Sequence, residues 1–182
     1  MRLRTLPILC FFCFSILLAD SINDKKEVDS IFNDTEPTSS VFTLKTNNEV
    51  NGDAETYVAW CWAPIKGYSK FGKYTGNGNS NGPFVHTGFK PAYLMIRRTD
   101  ATQHFYCMDN TRDSYQNPFQ DLISANLNDA ENADTARGDF VSNGFKIRST
   151  ANAFNADGGN YVYMAFAEHP FVTSNGTPNN AR

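Results

Sequence analysis

Three histidines, nineteen acidic residues and a handful of serines are the side chains here with chemistry to offer, and their spacing decides whether any of it is organised. His86, His104 and His169 have no neighbour at the close spacings that zinc ligands need. His86 and His104 fall in strand-like segments, where an imidazole faces solvent or is hydrogen-bonded. Hydrolysis of glycosides requires two carboxylates held across a cleft. Asp100, Asp109, Asp113 and Asp121 are instead scattered through loop-like sequence, and no E-x-D-x-E-like strand occurs. Asp129, Glu131 and Asp134 carry the hard oxygen ligands that calcium accepts, but without the ordered D-x-[DN]-x-[DN]-G pattern they read as solvated loop charge. The segment Gly76–Gly82 superficially resembles a phosphate cradle; it lacks the GK[ST] ending and a following helix, so a hairpin turn is expected. Ser69, Ser80 and Ser114 sit in no G-x-S-x-G nucleophile motif. These residues therefore point to no catalytic constellation, no metal site and no cofactor, and the chain is expected to be a structural or binding module.

Aromatic side chains leave one chemical role open. Tyr74, Phe84, Tyr93, Tyr106 and Tyr115 lie in strand-like segments, at their ends or in loops. Exposed rings stack on sugar faces while Asn and Asp bond sugar hydroxyls, so Tyr74, Tyr93, Tyr106 and Tyr115 are candidates for a lectin-like surface. Core packing explains the same residues, because large rings are more often inside.

The cysteines divide with the chain. Arg2 and Arg4 precede an apolar run, Leu6 to Leu18, followed by the small residue Ala19. That is the layout of a secretory signal peptide, and also what a spurious start upstream of a fragment would produce. At this length the run falls short of the roughly 20 apolar residues a membrane-spanning helix needs, so no stable span is expected. Cys10 and Cys13 lie inside it. Cys61 and Cys107 remain, either as one disulfide in an exported protein or as two buried thiols packed as small hydrophobes. The sequons at Asn33 and Asn175 carry meaning only in a eukaryotic secretory pathway.

What must position these residues is a β-fold. With 41% hydrophobic and 19% charged residues the chain suits a folded domain, and 182 residues suffice for one. A formal charge of -3 argues against nucleic-acid binding, which needs a basic face; Arg97-Arg98 is an adjacent basic pair of note. Asn and Gly come in bursts, Asn77 to Gly82 and Asp157 to Asn160, as tight turns require. Strands are expected at Ser69 to Tyr74, Phe84 to His86, Ala92 to Arg97 and His104 to Met108, the last two as a hairpin. Asp109 to Gly138 is expected to be a long loop with a helical turn near Leu122 to Leu127. The predicted fold class is all-β: an antiparallel β-sandwich, jelly-roll or concanavalin-like, behind a hydrophobic N-terminal segment.

The chain also repeats itself. Phe42 aligns with Phe145 and Leu44 with Ile147; after a one-residue gap, Asn51 aligns with Asn155, Tyr57 with Tyr161, Val58 with Val162, Trp62 with Phe166 and Ala63 with Ala167. In the first copy Val58, Trp60 and Trp62 alternate with the mostly small Tyr57, Ala59, Cys61 and Ala63, and Val162, Met164 and Phe166 occupy the same face in the later copy, as on a strand between two layers. The expected organisation is residues 1–19 as signal-like segment or spurious start, 20–63 as the tail of a preceding module, and 64–182 as one complete sandwich module.

Longer strings carry a family resemblance. PTSSVFTL at 37–44, YVAWCWA at 57–63, GYSKFGKYTGNG at 67–78, GPFVHTGFKPAYLMIRRTD at 82–100, SNGFKIR at 142–148 and YVYMAFAEHPF at 161–171 resemble a repeated β-rich domain of bacteriophage virion and tail-fibre-like proteins, found notably in marine phages. The closing TPNNAR resembles the ends of such proteins. The resemblance covers about residues 30–182. It implies a virion or tail-appendage module that contacts other virion subunits or cell-surface glycans, as a homo-oligomer in many appendages, with no catalytic residues to carry over. The signal-like start departs from the family pattern and admits the rival expectation of a secreted carbohydrate-binding module.

Overall fold

The computed structural model describes residues 41, 43–46, 48–57, 62–112, 117–133 and 135–170. They divide into two units between Pro64 and Ile65. In the first unit a single helical turn, α1 (Asn48–Asn51), is followed by a turn at Asp53 and Ala54. The predicted signal-like segment, Cys61 and Tyr115 lie outside the described residues.

The second unit is an antiparallel β-sandwich. Its strands are β1 (Ser69–Thr75), β2 (Phe84–His86), β3 (Pro91–Arg98), β4 (Tyr106–Asp109), β5 (Ile123–Ser124), β6 (Gly138–Val141), β7 (Gly144–Ile147) and β8 (Asn160–Ala167), with a one-turn helix, α2 (Asn152–Asn155), before β8. Five strands form one sheet in the order β1-β8-β3-β4-β5, and three form the other in the order β2-β7-β6. β8, a nearly continuous apolar strand, lies inside the sheet and pairs with β1 on one edge and β3 on the other. Its Tyr161, Tyr163 and Ala165 turn inward with Tyr74, Leu94, Ile96 and Met108 of the same sheet. Val85, Phe140, Phe145 and Ile147 fill the core from the facing sheet. Phe145 reaches across the layers, its ring edge-on to Tyr74 at 6.1 Å and to Tyr163 at 5.2 Å.

Two local expectations are corrected by the strand order. The Asn/Gly-rich segment at 76–82 was expected to close a hairpin between β1 and β2, but β1 pairs with β8 and β2 with β7. The segment instead carries the chain from one sheet to the other, which a two-residue turn could not do. Leu122 to Leu127 is no helical turn: Leu122 bridges Asn132, and Ile123–Ser124 form a short strand on the edge of β4. Here a pairing partner for the backbone outweighed weak local helix preference. The β3–β4 hairpin is present, with Leu94 opposite Met108 and Met95 opposite Cys107.

The connection from β7 to β8 is one of four sheet-to-sheet crossings, and polar side chains hold it. Asn155 is fully buried. Its Oδ1 accepts from the Asn77 amide at 2.8 Å, while Nδ2 donates to Asn77 Oδ1 at 3.0 Å, to Asn79 O at 2.7 Å and to Ser149 O at 3.0 Å. The Tyr161 hydroxyl donates to Asn152 O at 2.7 Å and accepts from the Ala156 amide at 2.6 Å. Tyr74 and Tyr161 stack at 4.8 Å, and Tyr74 donates its hydroxyl proton to Phe154 O. These bonds satisfy backbone groups that no strand partner reaches, a requirement for burying a crossing at all.

Removal of the Phe145 ring should cost about 3–5 kcal/mol, read as a lowered urea midpoint for Phe145→Ala. Tyr161→Phe keeps the ring but takes the hydroxyl partner from the buried Ala156 amide and the part-buried Asn152 carbonyl, so a loss of about 1–3 kcal/mol is expected in the same measurement. At Gly144 a Cβ would lie 2.0 Å from Val85 O, so Gly144→Ala should destabilise the β2–β7 pair more than a surface Gly→Ala change does.

Candidate binding surface

One row across the outward face of the five-stranded sheet is apolar, and Met95 and Met164 at its middle are themselves buried. Alternation sends Tyr161, Tyr163, Leu94, Ile96 and Met108 inward, so the intervening residues face out. The pairing register then sets Phe71, Met164, Met95, Cys107 and Ile123 side by side on β1, β8, β3, β4 and β5. At the usual strand spacing this row is about 19 Å long. A second row places Phe166 beside Tyr93 and Tyr93 beside Asp109. Phe166 is the hub of an aromatic group: Tyr68 packs against it edge-on at 5.8 Å, Phe71 at 6.1 Å, and Tyr93 tilted at 6.1 Å. Tyr68 is 42% exposed, whereas Phe71, Tyr93 and Phe166 are half-buried.

Polar groups rim this patch. Glu168 takes Lys90 as an ion pair at 3.0 Å and accepts from Asn110 Nδ2 at 2.8 Å. Arg112 bridges Asp109 at 3.0 Å and Glu131 at 2.5 Å. Asp109 also accepts from the Thr111 amide and hydroxyl. Partial burial pushes the Asp109 carboxyl up, but the bonds from Thr111 and Arg112 outweigh it and hold the group below the ordinary carboxylate value. Arg98 likewise holds Asp100 low, with help from the Asn160 amide. Burial pushes the Tyr93 phenol well up, reinforced by its 3.1 Å hydrogen bond to Cys107 Sγ. Burial also raises the Cys107 thiol, which favours the unreactive protonated form.

The four candidate tyrosines separate in space. Tyr74 is a core residue, stacked on Tyr161, and presents no ring to a ligand. Tyr106 also turns inward, packing on Phe154 at 5.1 Å from the half-buried edge of the core. Tyr93 stands on the outer face. Cys107 carries a free thiol. Phe84 is exposed on β2, 6.5 Å from His86. His86 is exposed on β2; His104 lies just ahead of β4, its Nδ1 3.1 Å from Asn126 Nδ2. Among the described residues no group of three or more His, Cys, Asp or Glu could hold a metal ion, and no helix is long and apolar enough to cross a membrane. Tyr68 and Phe166 were missed as surface candidates. For Phe166 the sign in the sequence is its place on the large-residue side of the repeated strand, a side that alternation alone assigns to the space between layers; nothing in the spacing marks Tyr68.

Linkage fixes the sign of the acid response. A carboxyl held low in the folded state stabilises the fold above its unfolded value and loses that contribution as pH falls through the folded one. Urea midpoints should therefore decline as pH drops below about 4. The decline should be shallower in Asp109→Asn, whose site no longer titrates; equal slopes for the two proteins would contradict the Thr111 and Arg112 assignment.

Comparison with known proteins adds one relation. No curated protein and no solved structure matches the chain. Residues 14–170 match the model of a family described as a domain of unknown function (DUF7483), a match that runs through the division at Pro64. With that share of its length covered, the chain belongs to the DUF7483 family.

Proposed function

We propose that this protein is a non-enzymatic adhesion module of a virion or phage tail appendage, whose outer sheet face contacts glycans of a host surface. One observation supports the reading above the others: Tyr68, Phe71, Tyr93 and Phe166 gather on one face with amide, carboxylate and ammonium groups of Asn110, Glu168 and Lys90 at its rim. Rings of this kind offer flat apolar area to the C–H face of a sugar, and the rim offers donors and acceptors to its hydroxyls. The long strings resembling phage virion domains support the setting. A secreted carbohydrate-binding module is the second reading, favoured by the basic start and apolar run of Arg2 to Ala19. Both use the same face and differ in where the protein acts.

Glycan-array binding by the purified full chain should be present. It should weaken about tenfold or more in Tyr93→Ala and Phe166→Ala, the equivalent of ~1.4 kcal/mol per tenfold change. A Phe84→Ala change on the other sheet should leave it intact. Detection of the chain in purified virions by mass spectrometry separates the two settings. Absence of glycan binding, or loss that is equal for Phe84→Ala, would sink the adhesive role.

A further inference from the structure

At one end of the larger sheet, three neighbouring strands each bring a different functional group. Lys90 stands immediately before β3, Asn110 immediately after β4 and Glu168 immediately after β8. They are neighbours because β3 lies between β8 and β4. Backbone bonds fix the positions: the Glu168 amide donates to Lys90 O at 2.9 Å, and the Asn110 amide donates to Ala92 O at 2.9 Å. The side chains then meet on one oxygen. Glu168 Oε1 accepts from Lys90 Nζ at 3.1 Å and from Asn110 Nδ2 at 2.8 Å, while Oε2 lies 3.0 Å from the same Nζ. Amine and carboxamide are therefore no farther apart than two hydrogen bonds to a shared atom allow. Asn110 is 8% exposed, and the Lys90 and Glu168 side chains are 23% and 21% exposed, so most of each group is withdrawn from water. No spacing in the chain announces this cluster, since 58 positions separate Glu168 from Asn110 and 78 separate it from Lys90.

These are the parts of an amide exchange. A lysine amine is a nucleophile, an asparagine carboxamide is an acyl donor with ammonia as its leaving group, and a carboxyl that touches both can move the protons. We propose that Lys90 and Asn110 join in an intramolecular isopeptide bond, a single self-modification in which Glu168 carries the protons. One proton passes from the Lys90 ammonium to Glu168 along the existing hydrogen bond. The freed lone pair on Nζ forms a bond to Asn110 Cγ, and the carbonyl π pair moves onto Oδ1. Glu168 delivers its proton to Nδ2. The carbonyl re-forms as the Cγ–Nδ2 bond breaks, and ammonia departs. The second proton on Nζ passes to Glu168 and on to that ammonia. One ammonium and one carboxamide thus become one amide and one ammonium ion, Glu168 ends as the carboxylate it began as, and nothing is oxidised or reduced. Free amines and amides do not exchange usefully in water; a contact fixed by three strands removes the entropy of bringing them together. The bond closes β3, residues 99–105 and β4 into one covalent ring, because the hairpin already joins the other ends of these strands. No reductant opens such a link.

Peptide mass spectrometry of the full chain, incubated folded at mildly alkaline pH and then denatured and digested with trypsin, tests the bond. Trypsin places the two residues in different peptides, 74–97 and 99–112, because the bond after Lys90 is protected by Pro91. The expected product is one branched species with the mass of both peptides less one ammonia. Asn-Gly bonds such as Asn77-Gly78 also lose ammonia when they form a succinimide, so the branch, and not the intact mass, decides. Lys90→Arg keeps the charge pair but offers no attacking amine, and Asn110→Ala removes the acyl group; both should give separate peptides. Glu168→Gln retains hydrogen bonding but carries no proton, and should slow branching by about 100-fold or more. The branched chain should also unfold at a higher urea concentration than Lys90→Arg, which shares its charges and lacks only the link. Recovery of 74–97 and 99–112 as separate peptides alone, from a chain whose circular dichroism shows it folded, overturns the proposal. Branching at an equal rate in Glu168→Gln overturns the role given to Glu168. The readout is a covalent bond, so this proposal and glycan binding can each fail without the other.

Discussion

A sandwich whose chain changes sheets must bury the crossings, and every peptide group in a buried crossing needs a partner that no neighbouring strand provides. In this protein one corner meets that constraint for two of the four crossings. Asn155 clamps the β1–β2 loop and the end of the β7 connection at the same time, and the Tyr161 hydroxyl bridges the two ends of α2. These two crossings, β1 to β2 and β7 to β8, therefore share one set of side chains. An unpaired carboxamide at this depth would cost about 1–3 kcal/mol for each group left without a partner, so the corner forms as a whole. That all-or-none character is the reason a one-turn helix, too short to be stable alone, persists there.

The aromatic core depends on the corner in turn. Tyr161 begins β8, and its ring stacks on Tyr74 while its hydroxyl is held by α2. Fixing that ring sets the register of β8 against β1 and β3, and the register decides which side chains point inward. Tyr163 and Ala165 then meet Phe145 and the other layer, and Val162, Met164 and Phe166 are committed to the outer face. The apolar row from Phe71 to Ile123 follows from this register; a slip of one residue would scatter it. Burial pushes the Tyr163 phenol up to about 12, as expected for a hydroxyl at the dry boundary between the sheets.

Alternation along Pro91–Arg98 and Asn160–Ala167, together with Asn/Gly clusters, made the all-β sandwich legible, because side-chain period is a local property of a strand. Less so was the fate of individual tyrosines. Tyr74 and Tyr93 look alike in sequence, each in an aromatic strand, yet one is stacked in the core and the other stands on the outer face. The Asn/Gly segment at 76–82 reads as a hairpin because its residues suit any turn; whether the strands it joins pair is a question about Asn155 and β8, some 80 positions away.

Sequence by itself determined the kind of structure: strands with two distinct faces, corners rich in Asn and Gly, and a repeated pattern from Phe42 to Ala63 and from Phe145 to Ala167. Those are consequences of residue type and spacing, which act between near neighbours. Tertiary structure alone decided the strand order, the burial of Asn155 and the gathering of Tyr68, Phe71, Tyr93 and Phe166 on one face. Pairing between strands distant in the chain is chosen by the packing of whole faces and by hydrogen bonds that long-range contacts complete, and no local pattern encodes which faces those will be.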